Sequence, residues 1–197
     1  TRVGYDYCWA SYDFMYEGYG SSSLDAHTYI HETGHLLGLD DYYASSTIKG
    51  TTNYAPMAGV DMMDYNIIDH DAFTKFALGW IHPFVVTGAT EITLKPSATS
   101  GEAILLPTSD GWNGSAFDEY MLLEYYTPEV NNKSDAESAY ANGTRGFTVN
   151  GIRIYHVDAR MARITASGGK HSYSYTDQLV ELSSNEGTVV FHSNGNA

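Results

Sequence analysis

The sequence predicts an α+β fold, with helices in residues 1–84 and a β-rich part over 85–197. Three observations predict it. From Ala26 the chain carries histidines one turn apart, flanked by Ile30, Leu36 and Leu37, and stops at Gly38, a residue suited to the left-handed conformation that closes helices. Ala72, Phe73, Phe76 and Ala77 repeat at helical spacing and stop at Gly79. Beyond Val85 the apolar residues fall into short runs rich in Ile, Leu, Val and Tyr, separated by Gly, Ser, Asn and Asp, the pattern of successive strands.

Taken in order, residues 5–16 alternate enough to be extended, with Gly18 and Gly20 closing the segment. Cys8 lies there in an apolar-aromatic run, where a buried, inert thiol is expected. As the chain's single cysteine, it forms no internal disulfide. Ser23 or Asp25 can cap a helix over 26–37, whose Ile30, Leu36 and Leu37 should enter the core. Residues 47–58 read as a loop. Asp69 or Asp71 caps the second helix. Strands are expected at 91–95, 103–106, 120–126, 152–157, 179–182 and 188–191. The intervening stretches 109–115 and 131–146 read as turn-rich, the second long, polar and mobile. A soft boundary falls near 83–90.

The chemistry concentrates in His31-Glu32-Thr33-Gly34-His35 and the turn after it. Residues four apart lie on one helical face, one turn above each other, so two imidazoles can grip one metal ion. Glu32 sits beside that face, where a carboxylate can take a proton from water activated by zinc. A turn at Gly38 folds the chain back beneath the metal and brings Asp41 within reach as third ligand, with Asp40 as its rival. The fourth position stays open, as hydrolytic zinc sites require. The alternative is a helix with two incidental histidines. His27 shares the face, but a rise of about 5.4 Å per turn makes it a neighbour of the site rather than a further ligand.

A second element lies downstream, at Asp61-Met62-Met63-Asp64-Tyr65-Asn66. Met63, with Met62 second, is the candidate for an apolar floor under the metal, a role suited to a flexible thioether. Tyr65 could reach over the metal and stabilise an oxyanion; core filling is the alternative for both. Asp61, Asp64, Asp69 and Asp71 form an acidic cluster that could hold calcium through oxygen ligands, although Asp69 and Asp71 also suit helix capping. His156 and Asp158 share one side of a strand end, where they either support the site or simply terminate the strand. His70 and His82 read as surface residues, and Asn113, Asn132 and Asn142, each opening an N-x-Ser/Thr triplet, read as turn markers.

Together these stretches resemble the immune inhibitor A family of secreted bacterial metallopeptidases, relatives of the metzincins. The matching pieces are His31-Glu32-x-x-His35-x-x-Gly38-Leu39-x-Asp41-x-Tyr43, Asp61 to Asn66, and Leu78-Gly79-Trp80. Weaker likenesses are Glu119 to Tyr125 and Gly151 to Asp158. The resemblance covers roughly residues 24–160. It implies a zincin/metzincin-like catalytic region over 1–84 with an active-site helix and a Met-turn. It further implies Zn2+ held by His31, His35 and Asp41, Glu32 as general base, a protein or peptide substrate, an extracellular location and a propeptide in the parent chain. Such proteases carry a sheet and backing helix ahead of the zinc helix, so a fragment is expected here. The competing expectation is a truncated or non-catalytic metal-binding module whose β-rich part recognises a polymer.

Charge narrows the partners. A formal net charge of −14 argues against nucleic acid or an anionic membrane as a partner. No stretch is long and apolar enough to span a bilayer, and Thr1-Arg2-Val3-Gly4 does not read as a charged start followed by an apolar run.

Overall fold

The computed structural model describes residues 8–15, 26–39, 42, 60–64, 69–138, 146–158, 161–167, 170–175 and 190–192. The architecture is α+β. Helices α1 (His27–Leu36) and α2 (Ala72–Ala77) precede a mixed sheet, and α3 (Ser97–Ser100) and α4 (Asn131–Glu137) are short helices between its strands. The sheet has the order β1-β2-β3-β4-β7, from β1 (Phe84–Val85), β2 (Ala103–Pro107), β3 (Glu119–Tyr126), β4 (Gly151–Asp158) and β7 (Val190–His192). The β1–β2 pair is parallel and the others are antiparallel. A separate hairpin joins β5 (Met161–Ser167) to β6 (Lys170–Tyr175).

Strand alternation produces the sheet's buried face. In β3 the side chains of Tyr120, Leu122, Glu124 and Tyr126 are buried, while those between them are half-exposed, as a period of two requires. Tyr155 and Val157 of β4 and Ala103 and Leu105 of β2 extend that face. Helix α2 lies against it: Phe73 joins the core cluster, and the Phe76 ring stands edge-on to Tyr120 at 6.2 Å. Met63, Val60 and Tyr42 belong to the same cluster, so one apolar core runs from the site region into the sheet.

Glu124 is a carboxylate on this buried face. It accepts from the Tyr155 hydroxyl at 2.6 Å and from Arg153 at 3.4 Å. The Arg153 guanidinium in turn lies 3.7 Å from the Tyr126 ring centroid, so the charge pair is enclosed by an aromatic face.

Several expectations need correction. Residues 12–15 form a 3-10 turn rather than a strand, because the Ser11 carbonyl accepts from Phe14 N–H at 3.0 Å. Cys8 is exposed rather than buried. Residues 91–95 join neither sheet; there the Lys95 N–H and ammonium both go to Glu102. The polar stretch after Val130 begins with α4, which is anchored by polar contacts. Its buried Asn132 donates to the Thr127 carbonyl at 3.1 Å, and its buried Asp135 accepts from Asp69 N–H at 3.2 Å. A helix held this way leaves no apolar period to read. The strand expected at 103–106 forms, as do those at 120–126 and 152–157, each slightly longer than expected. The strand at 188–191 coincides with β7 at its last two residues. The loop at 47–58, the caps Ser23 and Asp25 and the strand at 179–182 lie outside the described residues. Among the described residues, no helix is long and apolar enough to cross a membrane.

Candidate metal centre

Helix α1 buries His27, His31 and Gly34, a stripe spaced four and three residues apart along one face. Leu36 and Leu37, expected in the core, are instead 43 % and 50 % exposed. The reason is rotational. The face turned inward is the histidine face, and positions one and two residues past His35 necessarily point away from it. The helix closes at Gly38, whose φ of +93° is left-handed. Its N–H goes to the His35 carbonyl at 3.0 Å and that of Leu39 to the Gly34 carbonyl at 3.1 Å, which satisfies the last carbonyls of the helix.

That closure orients the His35 ring. The Leu39 carbonyl, returned beneath the helix end, accepts from His35 Nδ1 at 3.0 Å. His31 Nδ1 donates likewise to the Met62 carbonyl at 2.9 Å, across 31 residues of sequence. A carbonyl can only accept, so each Nδ1 carries its hydrogen and each neutral ring keeps its lone pair on Nε2. An imidazole that binds a metal through Nε2 needs this tautomer, and this kind of backbone contact holds it. The two rings stand edge to face, with centroids 4.8 Å apart. One ring nitrogen of each histidine and one carboxylate oxygen of Glu32 all lie within 4.8 Å of one another. His31 is buried, while His35 and Glu32 are half-buried. The donor set therefore suits a divalent cation of zinc's type on chemical grounds, with one side toward solvent. The His27 ring lies 5.6 Å from that of His31, outside the group of three.

Beneath the helix, residues Asp61 to Asp64 make a tight turn, with Asp64 N–H bonded to the Asp61 carbonyl at 3.0 Å. Met62 and Met63 are fully buried. The Met63 thioether packs against the Cα of Gly34, so that a Cβ there would collide with the sulfur. The fully buried Asp61 organises the turn. Its Oδ1 accepts from Met63 N–H at 2.7 Å, and its Oδ2 accepts from Asp71 N–H at 2.7 Å and from the Thr74 hydroxyl at 3.0 Å. Thr74 Oγ1 is also 3.0 Å from the Tyr42 hydroxyl. Because the carboxylate only accepts, the Thr74 hydrogen belongs to Asp61 and the tyrosine donates to Thr74. Burial raises the Asp61 carboxyl, but His70 and the N–H groups of Asp71 and Met63 outweigh it and hold its pKa below the ordinary value. His70, expected at the surface, is 8 % exposed, with Nδ1 3.6 Å from Asp61 and its ring edge-on to Trp80.

Asp69 and Asp71 are similarly engaged. Asp71 caps α2 through Thr74 N–H at 2.7 Å, and Asp69 pairs with Lys75 at 2.7 Å. Among the described residues, the metal-capable group is His31, Glu32 and His35, and the acidic cluster suggested for calcium does not gather three carboxylates at one point. His156 Nε2 lies 3.2 Å from Glu119 on the neighbouring strand. Asn113 holds a turn, its Oδ1 accepting from Ser115 N–H at 2.8 Å. Asp40, Asp41, Tyr43, Tyr65 and Asn142 lie outside the described residues.

Sequence reasoning did not find the two carbonyls that orient the histidines or the turn carboxylate behind one of them. The signal for the latter was present: an Asp two residues before a buried Met is the spacing of an Asx turn. Comparison with protein-family models, with curated proteins and with solved structures gives no match.

Proposed function

We propose that the chain carries the catalytic centre of a secreted zinc metalloendopeptidase, with His31, His35 and Asp41 as metal ligands and Glu32 as general base. The observation that carries this reading is the pair of Nδ1–H bonds to Met62 and Leu39. They give both imidazoles the metal-binding tautomer, beside a carboxylate within 4.8 Å. When bound, zinc would supply Lewis acidity toward the scissile carbonyl and lower the pKa of water at the open position.

The chain's own residues account for the rest. Glu32, half-buried and next to the ligand face, takes a proton from the attacking water and returns it to the leaving nitrogen. Met63 is read as the methionine of a Met-turn, and Tyr65 as a donor to the developing oxyanion. The substrate is a protein or peptide. A structural zinc site would be closed by a fourth protein ligand, whereas a half-exposed His35 and Glu32 suit an open one.

The test is hydrolysis of a fluorogenic peptide with and without chelator, compared between wild type and Glu32→Gln. The variant should retain zinc by elemental analysis and lose about 10²–10⁴-fold in turnover, the usual contribution of a positioned acid–base group. Undiminished hydrolysis by Glu32→Gln removes the proposed base. Zinc binding without chelator-sensitive hydrolysis by the wild type favours the non-catalytic binding module.

A further inference from the structure

We propose that Asp61 is a positioning residue for the metal centre: by holding the turn at Met63, its carboxylate aims the Met62 carbonyl at His31 and so fixes that ring for metal binding. The inference rests on the metal-centre reading above.

The connection is short and each link is a hydrogen bond. Asp61 Oδ1 takes the Met63 N–H at 2.7 Å, which fixes the Met62–Met63 peptide. The carbonyl of that same peptide takes His31 Nδ1–H at 2.9 Å. If that peptide rotates, the acceptor that sets the His31 tautomer turns away. The other carboxylate oxygen is held by Asp71 N–H and the Thr74 hydroxyl, both at the start of α2, which packs on the sheet. Asp61 thus ties the ligand-bearing helix, through the Met62–Met63 peptide, to the start of α2. An apolar residue at position 61 would leave Met63 N–H, Asp71 N–H and the Met62 peptide without this common anchor. Only a short side chain with an oxygen acceptor at its γ or δ position, as in Ser, Thr, Asp or Asn, can serve the turn.

Two substitutions separate positioning from general support. Asp61→Ser and Asp61→Ala both lose the tie to α2, but serine keeps an acceptor for the Met63 N–H. Zinc affinity of the full chain is measured by competition with a chromophoric chelator, and Co2+ absorption reports ligand geometry. Asp61→Ala should bind zinc about 10–100-fold more weakly than wild type, with a changed Co2+ spectrum; Asp61→Ser should lose less than about 10-fold. Equal affinities for the two variants overturn the proposal. Should the alanine variant not fold, nitrogen-15 ring shifts of the folded, zinc-free wild type decide. His31 protonated at Nδ1 supports the link, and protonation at Nε2 overturns it. Failure of the wild type itself to bind zinc is a different result, because it removes the metal-centre reading as a whole.

Discussion

Two carboxylates ten residues apart, Asp61 and Asp71, are both fully buried, and their surroundings shift their pKa values in opposite directions. Asp61 has donors on both oxygens. Asp71 has a backbone donor on one: its Oδ1 caps α2, while among the described residues its Oδ2 makes no hydrogen bond. Burial, then the charge of Asp61 and, more weakly, of Glu124, push the Asp71 carboxyl well above its ordinary range. A carboxyl with a raised folded pKa contributes stability that is fully present below its unfolded pKa and lost as pH rises through its folded one. Asp71→Asn should therefore be more stable than wild type at neutral pH, by about 1–3 kcal/mol, because asparagine caps α2 equally well and carries no charge. The difference should vanish below about pH 4, the unfolded carboxylate range. Urea unfolding at several pH values checks it, and a less stable variant at neutral pH would contradict it. At this scale the sequence disclosed what was local. The His31–His35 spacing and the Asp71 cap are set within one helix turn of their partners. The acceptor of His31 lies 31 residues away, and no local pattern encodes it.

At the level of elements, α1 and the turn beneath it meet through a glycine and a methionine. Replacing a helical glycine by a larger residue ordinarily favours the helix. Here a Cβ at Gly34 collides with the Met63 sulfur, itself fully buried, so Gly34→Val should destabilise by about 1–3 kcal/mol through overpacking. Met63→Ala alone leaves a cavity and should cost about 2–5 kcal/mol. The double variant fills the cavity it opens and should cost less than the sum, with a coupling of about 0.5–3 kcal/mol. Strict additivity in thermal or urea unfolding would show that the two residues do not share one space. Elements were legible where apolar residues cluster into a run. The stretch 120–126, rich in Leu and Tyr, marked β3 by composition, while which of its faces is buried was not legible, because Met121, Leu123 and Tyr125 are as apolar as their buried neighbours. The inward face of α1 was not legible, because its buried residues are His27, His31 and Gly34 while its leucines point outward. Helix α4 is held by Asn132 and Asp135 rather than by an apolar stripe, so its composition reads as a loop.

The whole molecule links distant segments through one candidate centre, and this gives its stability a metal dependence. A ligand that binds only the folded chain stabilises it by about 2.7 kcal/mol at 100 times its dissociation constant. At about 2–4 °C per kcal/mol for a chain of this size, zinc should raise Tm by about 5–11 °C, and EDTA should reverse the shift. A net charge of −14 complicates the experiment, since any divalent cation relieves self-repulsion among the carboxylates. The informative comparison is therefore between cations and between variants. Magnesium should produce only the screening increment, equal in wild type and in His35→Ala. Zinc should exceed that increment in wild type and fall to it in His35→Ala, whose zinc content should also drop by elemental analysis. Calcium at matched concentration separates the remaining alternative. A calcium shift larger than magnesium's and unchanged by His35→Ala would locate an oxygen-ligand site apart from the histidines. Equal zinc shifts in wild type and variant would mean that the imidazole pair on α1 does not bind the metal, and the hydrolytic reading would lose its basis.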